Sequence, residues 1–389
     1  MRSLFRVSLA ACVVACNAPA GSDSTRLSTT TNATAPAAFP HVDTPPINVA
    51  AIDSLIKKVV ADKHLVGVSV GVMQNGKVIL ANGYGFRRLA PNEPLTATTM
   101  MPIGSVTKQF TCTAALLLSQ DGKLSMRDPV STYVPTATQA SAITLLDLAQ
   151  HVSGYRDYYP LDFVDREMQK AESADTIIAR YATRALDFEP GSRWSYSNTN
   201  FLILGKAIEA AARQPIAAVL SARIFGPLGM TRTAYDPPPS DTGMSQGYTS
   251  YALASPSPAL PEASGWTGAA GAMWSTPTDL LAWDLSLLEN KLLTATSFAT
   301  LTTPRMLSDG RSTGYGCGMS IQLTGRRRVV AWWCCGRLGG DQHHRSRFAV
   351  GYRGAEQCRL RGHRGNRGRA VAQAHAACRC ADDCRTVGD

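Results

Sequence analysis

Asn75-Gly76 lies between two runs rich in β-branched residues, Val66-Gly67-Val68-Ser69-Val70-Gly71-Val72-Met73 and Lys77-Val78-Ile79-Leu80. Asn-Gly accepts the positive φ values that a two-residue hairpin turn demands, so this stretch predicts an antiparallel hairpin. Just before it, Ile52, Leu55, Ile56, Val59 and Val60 recur at i, i+3, i+4, i+7 and i+8, one apolar face of a helix. That face needs a sheet or a second helix to cover it, which commits the chain to a mixed, layered architecture. Further on, a helix is expected from Ser105, apolar at Val106, Phe110, Ala114 and Leu117 and stopping near Asp121-Gly122. Helical and loop segments then run to about residue 230 and include Ile143 to Gln150 and Phe201 to Ala212; Pro277 to Leu288 follows as a later helix. Tyr315, Cys317, Met319, Ile321 and Leu323 alternate as a strand, which turns at Thr324-Gly325 and returns from Arg328.

With 389 residues, 44% hydrophobic and 17% charged, the chain can bury a substantial core. A net charge of +10 points toward nucleic acid or a membrane surface only if it is spread over the domain. It is not: residues 326 to 389 hold fourteen Arg, no Lys and five acids, a net of +9, which leaves +1 for residues 1 to 325. Aromatic interleaving is nearly absent from the basic tail, so no nucleic-acid partner is expected. Cys378, Cys380, Cys384 and the His343-His344 pair lack the paired spacing of a zinc site, and no metal is expected.

Residues 1–16 read as an export signal, with Arg2 and Arg6 ahead of an apolar run, Val7 to Ala15, that is too short to span a bilayer. Val13-Val14-Ala15-Cys16 resembles the lipobox of bacterial lipoproteins, which implies lipidation at Cys16. Residues 17–46, rich in Ser, Thr, Ala, Asn and Pro, read as a disordered linker. The expectation is an exported protein of the periplasm or cell envelope, held to the membrane through a lipid anchor.

The chemistry begins at Ser105-Val106-Thr107-Lys108. On a helix, residues i and i+3 share a face, so the Lys108 amine can reach back to the Ser105 hydroxyl. The first turn also offers free backbone N–H groups and the positive end of the helix dipole to a developing oxyanion. A second stretch, Glu189 to Asn200, contains Trp194-Ser195-Tyr196-Ser197-Asn198. In an extended loop i and i+2 point the same way, so Tyr196 and Asn198 can face one site together. A phenol beside a lysine can ionise, and an amide can position both a lysine and a substrate carbonyl. His151 is expected to be a structural, hydrogen-bonding histidine.

Ser105-x-x-Lys108 followed about ninety residues later by Tyr196-x-Asn198, with an Asn-Gly hairpin before and a glycine-rich helix and hairpin after, resembles the serine β-lactamase and penicillin-binding protein superfamily. Ile103-Gly104-Ser105-Val106-Thr107-Lys108-Gln109-Phe110 and Trp194-Ser195-Tyr196-Ser197-Asn198-Thr199 are similar to its branch of class C β-lactamases, DD-peptidases, D-aminopeptidases and esterases. The resemblance covers residues 47–331. It implies an α+β fold, an antiparallel sheet flanked by helices plus an all-helical subdomain, with the site between them. It also implies acyl transfer through Ser105, with Lys108 and Tyr196 as coupled bases, Asn198 binding substrate, and no cofactor. The partner would be a small-molecule or peptide substrate, a β-lactam, D-amino-acid peptide or ester; the oligomeric state is left open. The alternative is a catalytically impaired penicillin- or peptidoglycan-binding lipoprotein of the same fold.

The family places a third motif, Lys or His, a small residue, then Gly, on the returning strand. Here Val329-Val330-Ala331 is followed by Trp332-Trp333-Cys334-Cys335-Gly336. Trp and Cys have so few codons that this run dictates most of its own DNA, and a one-base shift within Ala331 reads His, Leu, Pro or Arg, then Gly-Gly, then Ala or Val twice. Residues from about 328 onward are therefore expected to be translated out of frame, and 332–389 to be an out-of-frame tail without a packed fold. The expectation is that resequencing near codon 330 finds an insertion or deletion.

Overall fold

Helix α1 (Val49–Asp62) begins at Asn48, whose side chain accepts the Ala51 N–H at 3.0 Å. Ile52, Leu55, Ile56, Val59 and Val60 are each half-buried, and the helix lies on the second strand of the hairpin. The computed structural model describes residues 45–159, 164, 166–238, 243–249, 255–323 and 329–330. The export segment with Cys16, nearly all of the linker 17–46, the third-motif position and the tail 332–389 lie outside the described residues. Among the described residues no helix is long and apolar enough to cross a membrane.

The hairpin is present as expected: β1 (Gly67–Gln74) and β2 (Lys77–Leu89) pair antiparallel with Gln74 opposite Lys77. Asn75 and Gly76 both take positive φ, 51° and 73°, which matches the right-handed twist of the flanking strands. Strand β3 (Asn92–Pro94) extends this sheet beside β2. The short β4 (Met101–Pro102) leads through a 3₁₀ turn, Gly104–Val106, into α2 (Thr107–Gln120). Asp121 follows as the C-cap, and Gly122, at φ 69°, ends the helix where the sequence places its stop.

The apolar spacing of α2 suggests one inner face, yet every residue from Thr107 to Leu118 is buried. Three of its polar side chains are satisfied by neighbouring groups. Thr111 Oγ1 donates to the Ala269 carbonyl at 2.8 Å, Gln109 Oε1 accepts the Trp283 indole N–H at 3.1 Å, and Thr107 Oγ1 accepts the Met273 N–H at 3.2 Å. Phe110 stacks on Trp283 with centroids 4.1 Å apart. The helix is thus the axis of the core, and its first turn is held rigidly from all sides.

Among the described residues from α2 to residue 233, one isolated bridge, Pro129 with Thr144, is the only β pairing among the helices and turns. The sequence continues through α3 (Leu145–Ala149), capped reciprocally by Thr144 and Asp147, and α4 (Ala174–Tyr181). Then come α5 (Asn198–Ala212), α6 (Ile216–Leu220) and α7 (Gly226–Leu228). Strand β5 (Ala234–Tyr235) and the pair β6 (Tyr248–Thr249) and β7 (Ser257–Pro258) precede α8 (Gly268–Gly271) and β8 (Met273–Ser275). A second sheet runs β4-β8-β5, with Met101 opposite Ser275 and Ala234 opposite Trp274. It anchors the strand that enters α2, since Ile103 N–H also donates to the Met273 carbonyl at 2.9 Å. Helix α9 (Pro277–Leu288) covers β1, where a Cβ on Gly71 would touch Leu281 and Pro277. Helix α10 (Ala295–Thr302) follows. The α+β class, with antiparallel sheet flanked by helices and a separate helical portion, is therefore what the chain adopts.

One expectation is corrected. Tyr315, Cys317, Met319 and Ile321 are all buried, as alternation implies, but the backbone there is a turn and not a strand. Gly316 N–H donates to the Met319 carbonyl at 2.9 Å, and Gly318, at φ 71°, sends its own N–H to Ala149 at 3.1 Å. A Cβ on Gly318 would lie 2.5 Å from the Lys108 carbonyl oxygen, so this turn seats directly on the first turn of α2. Among the described residues of this region, regular pairing is confined to β9 (Gln322–Leu323) and β10 (Val329–Val330), with Leu323 opposite Val329.

Candidate active site

Ser105 sits in the joint between β4 and α2, where Gly104 takes a φ of 49° and turns the chain from strand to helix. Lys108 is one turn on, fully buried, and its Nζ lies 3.2 Å from Ser105 Oγ. The other two directions around that nitrogen are filled by better acceptors, Asn198 Oδ1 and the Ala270 carbonyl oxygen, each at 2.8 Å. A neutral amine keeps its two protons on those acceptors, and its lone pair then faces the Ser105 hydroxyl. Tyr196 Oη approaches the same hydroxyl oxygen from the other side at 2.5 Å. The four residues expected from the two motifs therefore meet at one point.

Burial pushes the Lys108 ammonium down to about 7 from 10.5, against the opposing charge of Asp157. An ordinary lysine is an ineffective base near neutrality because it is almost wholly protonated; this one is not.

The Tyr196-Ser197-Asn198 stretch is held by the segment that follows α3. Ser195 N–H donates to the His151 carbonyl at 3.0 Å, Ser197 N–H to His151 Nδ1 at 3.2 Å, and Thr199 Oγ1 to the Arg156 carbonyl at 2.7 Å. Ser153 Oγ donates to Asn200 Oδ1 at 2.6 Å. His151 is thus structural, as expected. Because Nδ1 accepts a backbone N–H, the ring carries its proton on Nε2, and burial, then Lys108, keeps its pKa well below the usual range. Its ring lies against that of Tyr196, with centroids 4.5 Å apart. Trp194, 38% exposed, packs edge-on against His151 and beside Tyr315 at the rim of the site.

Two contributors escape sequence reading. The Ala270 carbonyl is a backbone group that residue identity does not announce. Asp157 is the other: its Oδ1 accepts the Asn198 N–H at 2.9 Å, and its Oδ1 and Oδ2 lie 3.3 and 3.1 Å from Asn198 Nδ2. Burial raises this carboxyl to about 6, with the Asn198 hydrogen bonds and Lys108 pulling the other way. Only its place six residues after His151, in a segment rich in Gly, Ser and Tyr, could have drawn attention to it.

The chain resembles known proteins over about three quarters of its length. The chain is 31% identical over 289 residues to a D-aminopeptidase of Brucella anthropi, covering 73% of this chain and 54% of that protein, so it spans about half the length of the curated relatives it matches. Among solved structures, the octameric penicillin-binding protein homologue from Pyrococcus abyssi superposes with a TM-score of 0.65 at 25% identity, over 76% of this chain and 69% of the other. The D-amino acid amidase from Ochrobactrum anthropi SV3, complexed with L-phenylalanine, gives 0.63 at 23% identity over 75% and 84%, a likeness of fold. The family model described as Beta-lactamase matches residues 52–351, and with Ser105, Lys108, Tyr196 and Asn198 assembled as above, the chain belongs to the beta-lactamase family.

Proposed function

We propose that the chain is a serine hydrolase that forms an acyl-enzyme on Ser105, acting on an amide, β-lactam, D-amino-acid peptide or ester carbonyl. The observation that carries this reading is the position of Ser105 Oγ between Tyr196 Oη at 2.5 Å and Lys108 Nζ at 3.2 Å. Ser105 Oγ attacks the carbonyl carbon and its proton passes to the Lys108–Tyr196 pair. The Ser105 N–H, in the first helical turn, supplies one donor to the oxyanion. When the tetrahedral intermediate collapses, the pair returns the proton to the departing amine or alkoxide, leaving an ester on Ser105. Water, deprotonated by Tyr196, then attacks that ester, and the proton ends on Ser105 Oγ. Asn198 holds Lys108 through Oδ1. The names of the relatives, a D-aminopeptidase and a D-amino acid amidase, favour a D-amino-acid amide or peptide among these substrates.

The test is labelling with a fluorescent penicillin and a fluorophosphonate. Wild type is expected to label and Ser105→Ala not to; equal labelling of the two refutes the assignment. Turnover of a chromogenic cephalosporin, a short-chain nitrophenyl ester and a D-Ala-terminated peptide ranks the substrates. Labelling without turnover of any of them would favour the binding-protein alternative.

A further inference from the structure

Asn198 has two chemically opposite ends, and the structure gives each a charged or chargeable partner. Its Oδ1 faces the Lys108 nitrogen at 2.8 Å, and its Nδ2 faces the Asp157 carboxylate at 3.1 and 3.3 Å. The reverse orientation would press an amide oxygen against a carboxylate and an NH₂ against an amine, so the carboxylate selects one of two otherwise similar rotamers. Asp157 also takes the Asn198 backbone N–H at 2.9 Å, which fixes the first turn of α5 and hence the Cα from which the amide projects. We propose that Asp157 is a positioning residue of the active site: through the Asn198 amide and its own buried charge, it sets where the Lys108 amine points and how readily that amine gives up its proton.

This inference rests on the reading of Ser105 as nucleophile and Lys108 as its base. Asp157 does not contact Ser105 in the structure, so its influence must pass through Asn198 and through the field of its charge. Among the described residues, several further titratable groups surround this pair. Cys112 lies one turn along α2 from Lys108, but burial holds it as the neutral thiol, so it brings no charge to the amine; His151 feels Lys108 in turn. On the other side, Tyr158 is held neutral by burial, and Tyr196, Tyr235 and Glu262 act on that phenol. Arg156, the adjacent cation, is committed outward to Asp187 at 2.9 Å. Asp157 is therefore the buried carboxylate that opposes the desolvation of Lys108, and removing its charge must move the amine further toward the neutral form.

Asp157→Asn tests this. At the Oδ2 position an NH₂ would meet the Asn198 NH₂, so the amide loses its anchor and the site loses its charge. The readout that does not depend on turnover is the Lys108 side chain in protein carrying ¹³Cε-lysine, its signal assigned by its disappearance in Lys108→Arg. In Asp157→Asn the Lys108 titration midpoint is expected to fall by about one pH unit. Fluorophosphonate acylation at its high-pH plateau is expected to slow by about tenfold or more. Asp157→Glu, which keeps the charge, is expected to keep the midpoint near wild type. An unchanged midpoint in folded Asp157→Asn overturns the proposal, as does an unchanged acylation rate. If Asp157→Asn does not reach the wild-type near-ultraviolet circular dichroism, Asp157→Ser takes its place with the same criteria, and failure of both to fold assigns Asp157 to stability and overturns it too. Wild type that does not acylate while the Lys108 midpoint still shifts in Asp157→Asn would remove the hydrolase reading and leave the electrostatic link standing.

Discussion

Lys108→Met separates the two things that burial does to this lysine. The native structure holds the amine near 7 while the unfolded chain restores it to 10.5, with burial the largest cause. Between those values the unfolded chain carries a proton at this position that the native chain does not, so wild-type stability rises with pH, by about 1.4 kcal/mol per pH unit. Below about pH 7 both states hold the proton and the dependence vanishes. The variant has no group to titrate. It also leaves Asn198 Oδ1 and the Ala270 carbonyl without their donor, a cost of about 1–3 kcal/mol each that does not vary with pH across this window. The sign of the net change at one pH is thus set by competing losses, but its slope is not. Relative to wild type, Lys108→Met should be more stable at about pH 7 than at about pH 10, by roughly 4 kcal/mol. Urea unfolding of both proteins at several values across this range, extrapolated linearly to water, measures the difference. Titrations of surface lysines and of tyrosines remote from Lys108 are common to both chains and cancel. A stability difference that stays flat from about pH 7 to about pH 10 would refute the depressed lysine, and with it the physical basis for a base at this position.

The proposed reaction turns on the same depressed lysine. The rate of fluorophosphonate acylation at Ser105 should climb as pH rises through about 7, because only the unprotonated amine has a lone pair for the Ser105 proton; a rate constant flat from about pH 6 to about pH 9 would take Lys108 out of the proton transfer. Gly318→Ala should lower the midpoint of thermal unfolding by several degrees, corresponding to about 2 kcal/mol or more, since the new Cβ meets the Lys108 carbonyl at 2.5 Å and the Cys112 sulfur at 2.9 Å on a backbone at φ 71°. An unchanged midpoint would show that the turn on α2 is not tightly seated.

What was legible in advance tracks how local the determining contact is. Asn75-Gly76 encodes its own turn, and Ser105 and Lys108 encode their own proximity, because a helix brings i and i+3 together wherever it forms. Tyr196 and Asn198 were legible as a pair, although the helix that carries Asn198 starts three residues before the expected Phe201. The reason is physical. Ser197, an N-cap residue by type, makes no capping bond with its side chain; the N–H at the first helical position goes to Asp157 instead. A cap supplied from forty-one residues away leaves no mark in the local pattern. The misread strand at Tyr315 has the same origin. Alternating burial is a property of the side chains there, while the backbone path is set by Gly318 donating to Ala149 across the core. Both departures lie against α2 or α5, the two helices that carry the site, and both involve a backbone group satisfied by a remote partner. Ser105 and Lys108 can therefore be read from the chain, but the setting that the proposed base requires is made by the Ala270 carbonyl, the Asn198 amide and the Asp157 carboxylate, three groups that only the folded structure places together.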